Sequence, residues 1–111
     1  MQYLLDLYKD DEEGIKRVLT GIQSQFDVLP LQLSTYQSCN DLRGVADLCH
    51  TMRISSMMID SYDIQMKFYQ LEADILDNRL TTEELIKRIQ EIQTLLPDVI
   101  ESIHLYLDFY D

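Results

Sequence analysis

From Leu85 onward the apolar residues fall at Leu85, Ile89, Ile92, Leu96, Val99, Ile103, Tyr106 and Tyr110, alternating steps of four and three without a miss. That spacing puts all of them on one stripe of a 3.6-residue helix, and a stripe this long must be buried against other helices. Period-two alternation, the mark of a half-buried strand, is absent. The expected fold is therefore all-α. Pro97 stands inside the run and is expected to bend it, because proline removes one backbone donor and crowds the preceding turn.

The same periodicity extends upstream. Ile15, Val18 and Leu19, Ile22, Phe26, Leu29, Leu33 and Tyr36 keep one register across Pro30, which predicts either one helix kinked near Asp27–Pro30 or two nearly collinear pieces. Asn40 or Asp41 caps a helix whose inner stripe is Leu42, Val45 with Ala46, Cys49, Met52, Ser56 and Ile59. Asp60-Ser61 reads as a tight break. Ile64, Phe68, Leu71 and Ile75 then line a further helix ending near Asp77-Asn78, and Thr82 opens the last one with Glu83 and Glu84 in its first turn. Tyr3–Lys9 forms a short leading helix, closed by the acidic run Asp10–Glu13. Four main helices joined by short connections predict an antiparallel four-helix bundle with a short leading N-terminal helix, a single domain over residues 1–111.

Nine basic against twenty acidic residues give a net charge of −11, which disfavours nucleic acid and anionic membranes as partners and favours a monomer. The deficit is uneven: residues 41–60 hold Arg43 and Arg53 against three aspartates, whereas residues 81–111 hold Lys87 and Arg88 against seven acids. Cys39 and Cys49 lie ten apart without a second pair, neither a zinc framework nor a disulfide scaffold. No apolar stretch approaches the roughly 20 residues that span a bilayer, and no leader opens the chain, so a soluble, cytoplasmic protein is expected. No glycine-rich phosphate loop is present, which argues against ATP binding and autokinase activity. The run from Asp10 to Glu13 lacks the alternation and glycine of a calcium loop, and His104 lies outside the inner stripe of its helix, as a surface histidine does.

Residues 49–56 read Cys-His-Thr-Met-Arg-Ile-Ser-Ser. Helical numbering separates Cys49, Met52 and Ser56 on an inner face from His50 and Arg53 on another. A cation one turn from an outward imidazole suits brief covalent carriage of phosphate. Laid out from His50, the chain resembles the histidine-containing phosphotransfer (HPt) family, whose pattern is His-x-Leu-Lys-Gly-Ser-Ser after a Gly-Asp or Asn-Asp turn. Met52 stands at the Leu position, Arg53 at the Lys position and Ser55-Ser56 at the serine pair, with Asn40-Asp41 at the preceding turn. Ile59, Ile64 and the Leu71-Glu72 pair follow without a gap, so the resemblance covers essentially the whole chain.

The resemblance implies that His50 carries a phosphoryl group between response-regulator receiver aspartates, with Arg53 steadying its charge. Asp47, Ile54 and Met57 are then expected to flank the receiver-docking face, and Ser55 to lie nearer the surface than Ser56. The chain would bind no cofactor or metal of its own, the Mg²⁺ coming from the receiver, and would have no kinase activity. It could stand alone or belong to a hybrid sensor kinase. Two departures bear on this. Arg53 keeps the cation but changes its geometry, and Ile54 replaces the glycine that leaves room for a receiver to close over the imidazole. Lys67 is also charged where the family is often apolar. One alternative is a non-phosphorylatable HPt-like adaptor that only binds a receiver or another protein; another is an unrelated acidic helical interaction module.

Overall fold

The computed structural model describes residues 1–110, and among them all regular structure is helical. The helices are α1 (Gln2–Tyr8), α2 (Glu12–Ser38), α3 (Leu42–Met58), α4 (Tyr62–Leu76) and α5 (Thr82–Tyr110). α2 runs unbroken through Pro30, so the two-piece alternative does not apply, and α5 likewise runs through Pro97.

Local chemistry sets the ends. The carboxylates of Asp11 and Asp41 accept hydrogen bonds from the amides of Gly14 and Gly44, each at 2.9 Å, satisfying donors that the first helical turn leaves unpaired. For α5 the cap is Thr81, one residue before the expected start: its hydroxyl accepts from the Glu84 amide while the Glu84 carboxylate accepts from the Thr81 amide, both at 3.1 Å. At the other ends Lys9, Asn40, Asp60 and Asn78 take φ values of 48°, 53°, 58° and 55°. Asn and Asp tolerate this left-handed conformation best, and it lets the amides of Asp41, Ser61 and Arg79 close back onto the carbonyls of Tyr36, Ser56 and Asp74. Asp60-Ser61 is thus the tight break the sequence predicts.

The apolar stripes meet in one core. Phe26, Leu29 and Leu33 of α2, Val45 and Cys49 of α3, Phe68 and Leu71 of α4, and Ile89 and Ile103 of α5 are fully buried. α3 and α4 form the most intimate pair; α2 packs on both α3 and α5, and α4 closes onto α5 over a shorter stretch. Gly44 permits the α2–α3 approach, since a Cβ there would sit 2.5 Å from a ring carbon of Tyr36. Across the α4–α5 seam, Arg88 pairs with Asp74 at 2.9 Å and Lys67 with Glu91 at 3.5 Å. The charge at Lys67 therefore faces a carboxylate, while Phe68 supplies the packing.

The molecule is elongated, 46 × 22 × 18 Å. α5, with 29 residues, accounts for the long axis, at roughly 1.5 Å per residue, whereas α3 and α4 have 17 and 15 residues and reach only about half as far. α1 packs on α2 and α3, and its start is fixed by Asp60, which takes the Met1 ammonium at 3.0 Å and the Gln2 amide. Partial burial pushes the Asp60 carboxyl up, but those hydrogen bonds and the ammonium charge outweigh it and hold the group below its usual value. Among the described residues no helix is long and apolar enough to cross a membrane.

Candidate functional site

His50 sits in the middle of α3, eight residues after its first residue and eight before its last. Asp47, His50, Ile54 and Met57 follow at steps of three, four and three and so share one face; Asp47 and Ile54 are exposed, Met57 is half-buried, and the His50 side chain is 53% exposed. Cys49, Met52 and Ser56 fill the opposite face and are buried, as the stripe predicts. Burial pushes the Cys49 thiol up to about 12, with the Glu72 charge adding to the effect, so this neighbour of His50 is a neutral packing group and not a competing nucleophile.

The turn at Asp60-Ser61 folds α4 back along α3 and delivers Glu72 to the imidazole. Glu72 Oε2 lies 2.9 Å from His50 Nδ1, and Glu72 Oε1 lies 3.3 Å from Arg53 Nε. The carboxylate is only 15% exposed. Arg53 is further held by Tyr69, whose ring centroid is 5.5 Å from the guanidinium carbon. Its Nε makes an ion-pair contact without the alignment of a hydrogen bond. The sequence pattern contains the Leu71-Glu72 pair, but nothing in it reveals that Glu72 touches His50 and Arg53, or that Tyr69 backs the arginine.

These contacts decide the tautomer of the neutral ring. Arg53 Nη2 is also 3.3 Å from Nδ1. Nδ1 cannot accept from the guanidinium and donate to the carboxylate at once. The carboxylate contact is shorter and charge-assisted, so Nδ1 carries the proton and the arginine contact is one of proximity. The lone pair is then on Nε2, the nitrogen that faces away from Glu72. In its neutral form the ring therefore presents an oriented Nε2 lone pair with a guanidinium on its flank.

The serine pair keeps the expected order, Ser55 being 5% exposed and Ser56 fully buried. Both are largely covered: the Ser55 hydroxyl donates to Gln25 Oε1 of α2 at 2.5 Å, while Ser56 donates to the Met52 carbonyl at 2.7 Å. Ser55 thereby ties α3 to α2. Asp47 pairs with Arg43 at 3.5 Å on the exposed outer face. Beyond Arg53, the α4 residues Tyr62, Gln65, Met66 and Tyr69 complete a shallow depression of about 230 Å³, with Tyr62, Met66 and Tyr69 each more than half exposed. Among the described residues no three His, Cys, Asp or Glu side chains gather as metal ligands.

Comparison with known proteins finds no matching family model, no matching curated protein and no matching solved structure.

Proposed function

We propose that this chain is a histidine phosphotransfer module of the HPt type, an antiparallel four-helix bundle that relays a phosphoryl group between receiver aspartates of two-component systems through His50. The observation that carries the reading is the His50–Glu72–Arg53 arrangement: a half-exposed imidazole whose Nδ1 donates to a carboxylate at 2.9 Å, leaving Nε2 free to attack. The ring of neighbours α2–α3–α4–α5, with α5 returning to α2, supports the bundle.

The chemistry balances simply. The Nε2 lone pair attacks the phosphorus of an aspartyl phosphate, the phosphorus–oxygen bond breaks, and the receiver carboxylate leaves with its electron pair. The imidazole keeps its Nδ1 proton and becomes a phosphoimidazolium, whose positive charge falls beside Glu72. Arg53 has Nη1 and Nη2 to offer the phosphoryl oxygens while Nε stays against Glu72. Onward transfer to a second receiver is the same step reversed. The Mg²⁺ and acidic pocket that phosphoryl transfer requires belong to the receiver.

In this reading Ile54 is an apolar contact for the receiver, 46% exposed one turn beyond His50, with Asp47 and Met57 on either side. The test is incubation with a panel of phosphorylated receivers. The chain is expected to take up label in an acid-labile, base-stable bond. Receiver binding without label, converted to labelling by Ile54→Gly, would establish the adaptor instead. Neither binding nor labelling would reduce the chain to an unrelated helical module.

A further inference from the structure

α5 carries a second stripe beside its core stripe. Arg88, Leu95, Asp98, Ser102, Leu105 and Phe109 recur at helical steps along the flank that faces α4. The first half is covered: Arg88 pairs with Asp74, and Leu95 and Asp98 meet the start of α4 across an open cavity of about 340 Å³ lined also by Asp60, Asp63 and Ile64. α4 begins at Tyr62, and past the cavity nothing among the described residues lies on the flank. Leu105 is 63% exposed and Phe109 81%, the ring of Phe109 resting edge-on against Tyr110. α1 does not cover this flank, since among the described residues it packs on α2 and α3 and touches neither α4 nor α5. The position that α4 holds lower down is thus vacant for the last third of α5.

The rim of this vacancy has one sign. Asp63 and Asp98 stand at its base, Glu101 and Asp108 are exposed along its outer side, and α5 has no lysine or arginine after Arg88. A second copy packed through the same face would set these carboxylates against their own images. An anionic lipid surface is repelled for the same reason. An apolar stripe within an acidic rim is complementary to a helix with apolar residues on one face and lysines or arginines beside them.

We propose that this vacancy docks a basic amphipathic helix of a partner protein, of roughly three turns, completing the layer that α4 leaves unfinished. Its apolar residues would cover Leu105 and Phe109 and enter the cavity above Ile64, with its cations against Asp63, Asp98 and Glu101. The site lies at the opposite end of α4 from Glu72, about 15 Å along the helix. A partner held there leaves His50 open, and the inference stands whether or not His50 carries phosphate.

The test uses the full chain and a fluorescently labelled synthetic Leu/Lys peptide of about 18 residues with helical apolar spacing, read by anisotropy. A peptide of the same composition in scrambled order separates groove docking from charge attraction. The spaced peptide is expected to bind saturably at one to one, the scrambled one about tenfold more weakly. The double variant Leu105→Ser with Phe109→Ser is expected to weaken the spaced peptide by about tenfold or more. Asp63→Asn with Asp98→Asn is expected to weaken it and flatten its salt dependence. Both pairs are at the surface, and unchanged helicity by circular dichroism verifies that each variant is folded. Equal binding of the two peptides overturns the proposal, as does an unaffected Leu105/Phe109 variant. A dimer in sedimentation equilibrium that the same variant abolishes would assign the face to a second copy and overturn it too.

Discussion

The middle of α3 and the last third of α5 each show a histidine to solvent, and they differ in what surrounds it. His50 is met from the neighbouring helix by Glu72 and flanked by Arg53, itself backed by Tyr69. His104 is exposed on α5, where no other helix comes alongside its outer face, and it has no hydrogen-bond or ion-pair partner among the described residues. An exposed histidine on a helix is therefore not what marks a site. What sets the candidate site apart is a second element that orients the ring and supplies charge, and of these two histidines only His50 has one.

The sharpest way to break the comparison is to exchange the two histidines' fates. His50→Gln is expected to abolish label uptake from phosphorylated receivers, while His104→Gln leaves it unchanged, read by autoradiography with a base-stability control. Labelling of the His50→Gln protein would place the acceptor elsewhere and remove the functional distinction between the two regions.

Arg53→Ala comes next in size. Losing one charged donor aimed at the transferring group is expected to slow transfer about 100-fold without abolishing it. Arg53→Lys should recover part of the loss, because the charge returns without the planar fork that reaches both the ring and Glu72. Rapid-quench measurement of transfer at saturating receiver is the direct test. An alanine variant as fast as the parent would leave the guanidinium a structural partner of Tyr69 and Glu72.

Glu72 has a smaller expected effect with a more specific signature. Replacement by Gln offers Nδ1 either an amide donor or an acceptor, so the ring is no longer committed to one tautomer. Transfer is expected to fall about tenfold. In nitrogen-detected NMR the His50 ring should shift from one protonated nitrogen toward a mixture. An unchanged tautomer in Glu72→Gln would mean that Arg53 or the backbone environment, and not the carboxylate, orients the ring.

The same two regions show what a sequence makes visible. The core stripes were legible because burial repeats every three or four residues, and the stops at Asn40-Asp41, Asp60-Ser61 and Asp77-Asn78 were legible because these residue types cap helices and tolerate positive φ. Ser55 does lie nearer the surface than Ser56, but its tie to α2 was hidden because one stripe describes a helix with one neighbour. α3 lies between α2 and α4, its buried arc is wider, and Ser55 falls on the edge that meets Gln25. The Glu72 contact was hidden because it depends on how α4 slides along α3, which the turn at Asp60-Ser61 fixes in three dimensions. The vacancy on α5 was hidden likewise: Leu105 and Phe109 are visibly off the core stripe, but only the structure shows that α4 does not reach them.

Ile54 gives the finest test, because it separates a docking contact from an obstruction at the site that the α5 histidine lacks. It lies mid-helix and is half exposed, so Ile54→Ala keeps helix propensity and should change stability by less than about 0.5 kcal/mol. If the side chain packs against a receiver, removing its outer carbons costs about 1 kcal/mol of interface, and transfer at low receiver concentration falls about fivefold. At saturating receiver the rate should then be unchanged, since Ile54 touches the partner and not the reacting atoms. If the side chain instead holds the receiver away from the imidazole, the same substitution raises the saturated rate. The two outcomes move different kinetic parameters in opposite directions, so one titration of transfer rate against receiver concentration distinguishes a relay that uses its isoleucine from an adaptor that is blocked by it.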